Sequence, residues 1–148
     1  MNKKTIIFIM SIIIVIGVII CIFLLSDKKD FYTMKDDNIK KITSVVGKRK
    51  LLKKTKTKNG DTIIKTYKYI NIDDPYNDLS KYINYLEEKS TFIPTNSFNL
   101  ENKIGEIQIS RYSTNKEYII IMDISYNADS YTIKITRGKG KITPLNNF

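Results

Sequence analysis

Seven cationic side chains fall within the first eleven residues of KRKLLKKTKTKNG: Lys48, Arg49, Lys50, Lys53, Lys54, Lys56 and Lys58, with no acid among them. Such a run can hold phosphate or carboxylate groups through charge-assisted hydrogen bonds. It can equally be the solvated edge of a sheet, where lysines discourage further strand pairing. The rest of the chain offers less. Histidine is absent, which excludes Ser–His and Cys–His nucleophile pairs and histidine-based metal sites. Serine–lysine chemistry has two spacings to draw on, Ser26…Lys29 and Ser113…Lys116, but both fall in expected loops, where a solvated lysine is a poor base. Asp73, Asp74 and Asp78 do not match the twelve-residue calcium loop, and a helix start explains them better. No Gly-x-x-x-x-Gly-Lys phosphate loop is present; Gly47-Lys48 alone carries no such meaning. Ten tyrosines could form a carbohydrate platform, but they also suit half-buried sheet positions. The expectation is a non-enzymatic chain with no cofactor and no metal.

The elements that must position the cations follow from turn and cap signals. Asn59-Gly60 is a hairpin signal, because a type I′ turn needs positive φ at both central residues. It predicts strands over 50–58 and 61–72, with Lys58 facing Asp61, Lys56 facing Ile63 and Lys54 facing Lys65. Asp74 and Pro75 then open a helix: the carboxylate caps free amides, and proline suits the first turn. Tyr76, Leu79, Tyr82, Ile83 and Leu86 form its apolar stripe. Phe92-Ile93-Pro94 closes it, and Thr95–Lys103 reads as a loop. Strands follow over 104–112, 117–126 and 131–137, joined by short turns that make neighbours antiparallel. The order ββαβββ predicts an α+β fold, one helix on a five-stranded, mainly antiparallel sheet.

Ahead of that domain, Thr5–Leu25 holds 21 residues, ten of them isoleucine and none charged. At ~1.5 Å per residue it matches the ~30 Å core of a bilayer and predicts a single transmembrane helix. No small residues mark a cleavage site. Cys21 reads as a small apolar member of the run rather than a lipidation site. The expected organisation is an N-terminal membrane anchor over 1–25, a linker over 26–47, the α+β domain over 48–142 and a flexible tail over 143–148. A short helix is expected inside the linker, because Ile39, Ile42, Val45 and Val46 fall at helical spacing before Gly47. Lys3 and Lys4 favour a cytoplasmic N-terminus and an extracytoplasmic domain. Lys28, Lys29, Lys35, Lys40 and Lys41 argue the reverse when lysines alone are counted.

Charge is unevenly spread. The segment 28–70 holds 14 basic and 4 acidic residues, whereas 71–148 holds 9 and 10. The surplus of ten therefore sits in the first half of the domain.

The run from Val46 to Lys141, with VGKRK, the basic NG hairpin, DPYNDLSKYINYL and YTIKITRGKGK, resembles small membrane-anchored or secreted proteins of low-GC Gram-positive bacteria. The resemblance covers about two-thirds of the chain. It implies an outer-surface location at the cell membrane and no catalytic activity.

The functional expectation is a single-pass, membrane-anchored extracytoplasmic binding module. Its basic hairpin would engage anionic lipid or wall polymer at the bilayer. Alternative readings are a tethered cytoplasmic domain gripping nucleic acid, with Tyr67 and Tyr69 stacking on bases, and a non-catalytic partner or immunity factor of another membrane protein. Nucleic acid is the less favoured partner.

Overall fold

Turns and one helix start organise the chain between residues 30 and 145, the part described by the computed structural model. Strands β1 (Phe31–Met34) and β2 (Asp37–Lys40) form a small hairpin of their own, followed by a 3-10 turn at Ile42–Ser44. Then come β3 (Lys50–Asn59), β4 (Thr62–Ile70), helix α1 (Pro75–Ser90), β5 (Ile93–Pro94), β6 (Gly105–Tyr112), β7 (Ile119–Tyr126) and β8 (Ser130–Gly138). The main sheet is antiparallel and six-stranded, in the order β3-β4-β8-β7-β6-β5.

Helix α1 starts as its residues dictate. Asp74 accepts a hydrogen bond from the Asn77 amide at 3.0 Å, and Pro75 occupies the first turn. The helix ends at Thr91 in the left-handed conformation, with the Phe92 amide donating to the Leu86 carbonyl. Its stripe of Leu79, Tyr82, Ile83 and Leu86 is buried.

Period-two alternation sets the inner face of the sheet. The register aligns four rungs across β4, β8, β7 and β6: Ile63–Arg137–Ile120–Arg111, Lys65–Ile135–Met122–Ile109, Tyr67–Ile133–Ile124–Ile107 and Tyr69–Tyr131–Tyr126–Gly105. Helix α1 and the β1–β2 hairpin, through Tyr32, Met34, Ile39 and Ile42, share one core with these rungs. Its buried hydrophobic members run from Tyr32 to Ile135, and the strand ladders close within 31–138. Among the described residues, 30–145 thus share one core.

Several expectations are corrected here. The sheet has six strands, because Pro94 and Ile93 pair with β6 at its far edge; proline is tolerated there since an edge strand can spare a donor. A further pair, β1–β2, makes eight strands in two sheets around the single helix of the described residues. The predicted transmembrane helix at 5–25 lies outside the described residues, among which no helix is long and apolar enough to cross a membrane. The segment expected as linker and short helix carries, from Asp30 onward, the β1–β2 hairpin, and the helical spacing of Ile39 to Val46 yields only a 3-10 turn. Ile39 and Ile42 are buried by tertiary contact with the core, a role that an amphipathic helix and a strand-plus-turn serve equally well.

The β3–β4 register is also displaced. Asn59 pairs with Thr62, so the turn is Gly60-Asp61 rather than Asn59-Gly60. Of the turn residues only Gly60 has positive φ, at 56°, which is the type II′ requirement for glycine at the first central position. Lys56 now faces Lys65 and Lys53 faces Lys68, while Lys58 faces Ile63. Leu52 is the extra residue of a bulge between Leu51 and Lys53.

Candidate functional site

Strand β3 is the outer edge of the sheet, and every residue from Lys50 to Asn59 is exposed. Lys54, Lys56 and Lys58 lie opposite Tyr67, Lys65 and Ile63, whereas Lys50 and Lys53 lie opposite Ile70 and Lys68 on the other face. The seven predicted cations therefore do not form one patch; alternation splits them across both faces of an edge.

A subset does converge. A cleft of about 290 Å³ is lined by Lys41, Thr43, Lys48, Arg49, Leu51 and Lys54, with Tyr67 and Tyr69 as its inner wall. The Lys54 Nζ stands 5.7 Å from the centre of the Tyr67 ring, within cation–π range. Lys41 and Thr43 were missed as site residues because 26–47 read as linker. The adjacent lysines at 40 and 41, just before the basic strand, were the available signal. Leu51 and Leu52 were missed as well. They are 46% and 56% exposed, two adjacent apolar side chains inside a lysine strand.

Arg49 has a different task. Its Nε and Nη2 each donate to Asp78 at 2.6 Å, a two-pronged pair that fastens the start of β3 to α1. The Asp78 carboxylate holds the guanidinium pKa above its ordinary value, the hydrogen bond outweighing partial desolvation. Asp78 is almost fully buried and also accepts from the Tyr131 hydroxyl at 3.3 Å. Of the predicted anion-binding set, Arg49 is thus already committed to a carboxylate. Arg49→Gln is expected to destabilise the domain by about 2 kcal/mol, as for a lost hydrogen bond to a charged group. In a denaturant titration paired with vesicle binding, that variant should lose stability, and its affinity should fall less than that of Lys54→Gln.

The other candidates resolve into structure. The Ser113 hydroxyl is buried, donates to Asn115 Oδ1 at 2.6 Å and accepts from the Tyr118 amide. It closes the β6–β7 turn, and Lys116 bonds back only through its backbone amide. Asp74 is a cap and Asp78 an ion-pair partner, so the three carboxylates do not gather; among the described residues no group of acids, Cys or His could hold a metal. Tyr67 and Tyr69 are buried at 2% and 3% exposure, which closes their rings to a nucleic acid base.

Two constellations gave no signal in sequence. On the open face of the sheet, a groove of about 420 Å³ runs past Asn96, Gln108, Asp123 and Lys134. Gln108 Nε2 donates to Asp123 at 2.9 Å, Lys134 pairs with Asp123 at 3.6 Å, and Thr95 donates to Gln108. These groups satisfy one another, so the groove is a braced polar layer. The second lies inside. Asp37 of β2 accepts from Arg111 at 3.1 Å and from the Thr114 amide and hydroxyl, both at 2.9 Å, and its other oxygen lies 3.7 Å from Arg137 Nε. Arg137 is 1% exposed and stacks 3.8 Å from the Tyr118 ring centre. Nearby Lys65 donates to the Thr33 carbonyl at 2.6 Å. This cluster pins the β1–β2 hairpin to the sheet.

No family model, curated protein or solved structure matches this chain.

Proposed function

We propose that the chain is a membrane-anchored extracytoplasmic binding module whose basic edge strand engages a phosphate-rich anionic surface, either lipid or wall polymer. The apolar run Thr5–Leu25 is the anchor in this reading, and the short basic N-terminus sets its orientation. The observation that carries it is the exposure of every residue of β3, which carries Lys50, Lys53, Lys54, Lys56 and Lys58 along its ten residues. One exposed cross-strand lysine pair, Lys53 with Lys68, adds to the local positive field. Like charges in register are unfavourable for the sheet itself, and an anionic surface relieves that repulsion. Burial of Tyr67 and Tyr69 weighs against the nucleic acid reading.

Each lysine brought to an anionic membrane surface contributes ~1 kcal/mol. Three or four together amount to a change of about 10²–10³-fold in affinity. Residues 30–145 with glutamine at Lys50, Lys53, Lys54, Lys56 and Lys58 are therefore expected to lose binding to anionic vesicles and isolated wall by at least about 100-fold. The native domain should itself weaken as salt rises. Co-sedimentation at two ionic strengths makes the measurement; unchanged binding in the five-glutamine protein would sink the proposal. Reporter fusions to the C-terminus, one active outside the cell and one inside, test the orientation.

A further inference from the structure

The geometry points to the anionic surface being the chain's own bilayer: the cleft of Lys41, Lys48 and Lys54 seats lipid headgroup phosphates while Leu51 and Leu52 enter the interfacial layer. This assignment rests on the reading of β3 as an anionic-surface site, and it names which surface.

The first support is the tether. Asp30 is hydrogen-bonded into the fold, and in sequence only Ser26–Lys29 separate it from the apolar run. Four residues reach at most ~14 Å, against the roughly 26 Å average of the 22-residue coil expected from sequence. The Asp30 carbonyl accepts from the Lys41 amide at 2.9 Å, and its carboxylate accepts from the Ser44 hydroxyl at 3.2 Å. Lys41 and Thr43 line the cleft. The chain therefore enters the domain at the rim of the basic cleft, and an anchored N-terminus holds that rim at headgroup height.

The second support is the leucine pair. Single exposed apolar residues, such as Ile104, are ordinary on protein surfaces. Two adjacent ones within a lysine strand are not, and a bulge is how a strand re-aims a side chain. Apolar side chains flanked by lysines suit the boundary between headgroups and acyl chains, where lysine stems lie along apolar surface and their ammonium groups reach phosphate. A water-soluble polyphosphate would satisfy the lysines and leave both leucines in water. Lipid satisfies both.

The chain has no tryptophan, so Leu52→Trp supplies a single reporter at an exposed position. The full chain carrying Leu52→Trp is reconstituted into vesicles of phosphatidylcholine, with or without phosphatidylglycerol. With phosphatidylglycerol, its emission should shift to the blue and be quenched by acyl-brominated lipid; Ile104→Trp should show neither. In a second arm, Leu51→Ser/Leu52→Ser in residues 30–145 should weaken adsorption to phosphatidylglycerol vesicles by about 10-fold or more. Retention on inorganic polyphosphate should be unchanged. If Leu52→Trp stays solvent-exposed in both vesicles while the lysines still govern polyphosphate retention, the bilayer assignment is overturned and the anionic-surface reading stands. If the native domain binds neither vesicles nor polyphosphate, both fall.

Discussion

Replacing Asp37 by asparagine is expected to destabilise the domain by about 3–5 kcal/mol, the range for breaking a buried ion pair by removing one partner. Asp37 is 1% exposed and serves two arginines, one of which, Arg137, is equally buried. Nε and Nη2 of Arg137 and Nε of Arg111 have no hydrogen-bond partner, so charge attraction to Asp37 and the ring faces of Tyr118 under Arg137 and Phe92 under Arg111 are what offset their desolvation. Asparagine keeps an oxygen for the Thr114 amide and hydroxyl, removes the charge and turns the oxygen facing Arg137 into a donor. Lys65, buried on the same sheet face one rung from Arg137, is a cation and cannot replace the lost charge. For a domain of this size the loss corresponds to roughly 10–25 °C in Tm. Arg137→Met added to Asp37→Asn should recover at least half of it, because the uncompensated cation is gone. Thermal unfolding of the two variants decides the matter; a cost below about 1 kcal/mol for Asp37→Asn would show that the charge is not what holds the hairpin.

Raising the pH above 10 is expected to unfold the domain in one cooperative step. Tyr32, Tyr69, Tyr82 and Tyr131 are at most 3% exposed. Burial is the leading cause that lifts each hydroxyl pKa above the ordinary 10. Tyr82 adds to the effect at Tyr32, and the Asp78 carboxylate adds to it at Tyr131. The sign is fixed by proton counting. Below pH 10 these hydroxyls are protonated in both states and their burial counts fully toward stability. Above pH 10 the unfolded chain releases protons that the folded one retains, so stability falls as pH climbs toward the raised folded values. Each tyrosine contributes about 1.4 kcal/mol per pH unit, and four together about 5. Against a usual domain stability of ~5–15 kcal/mol, a slope of that size is enough to unfold the domain as pH climbs toward the raised folded values. Tyrosinate absorbance and circular dichroism followed together provide the check. The buried set should ionise together with the loss of structure. Smooth ionisation of all ten with the dichroism intact would contradict the prediction.

Local signals were strong enough to mark some elements. Asp74-Pro75 marks the start of α1, and alternation marks β8 from Tyr131 to Arg137. The Gly60 turn marks a hairpin, yet its centre moved by one residue because type II′ uses the glycine first, where type I′ would have used it second. Strands β1, β2 and β5 were illegible for another reason. They are two to four residues long, too short for a period to register, and their burial comes from distant partners such as the Tyr32–Tyr69 hydroxyl pair. The site shows the same division. Its cations were plain in the sequence, but the commitment of Arg49 to Asp78 spans 29 positions. The convergence of Lys41 with Lys54 required the fold of 30–47.

Asp37, near the start of the domain, closes on Arg137, near its end, 100 positions later. At the ribosome's pace of about 5–20 residues per second, roughly 5–20 s pass between the two emerging. During that interval the sheet lacks β8, the strand that lies between β4 and β7, and Asp37 lacks Arg137. The nascent chain therefore cannot close its core until β8 has emerged. A chaperone or protease meets it first as an open, lysine-rich polypeptide.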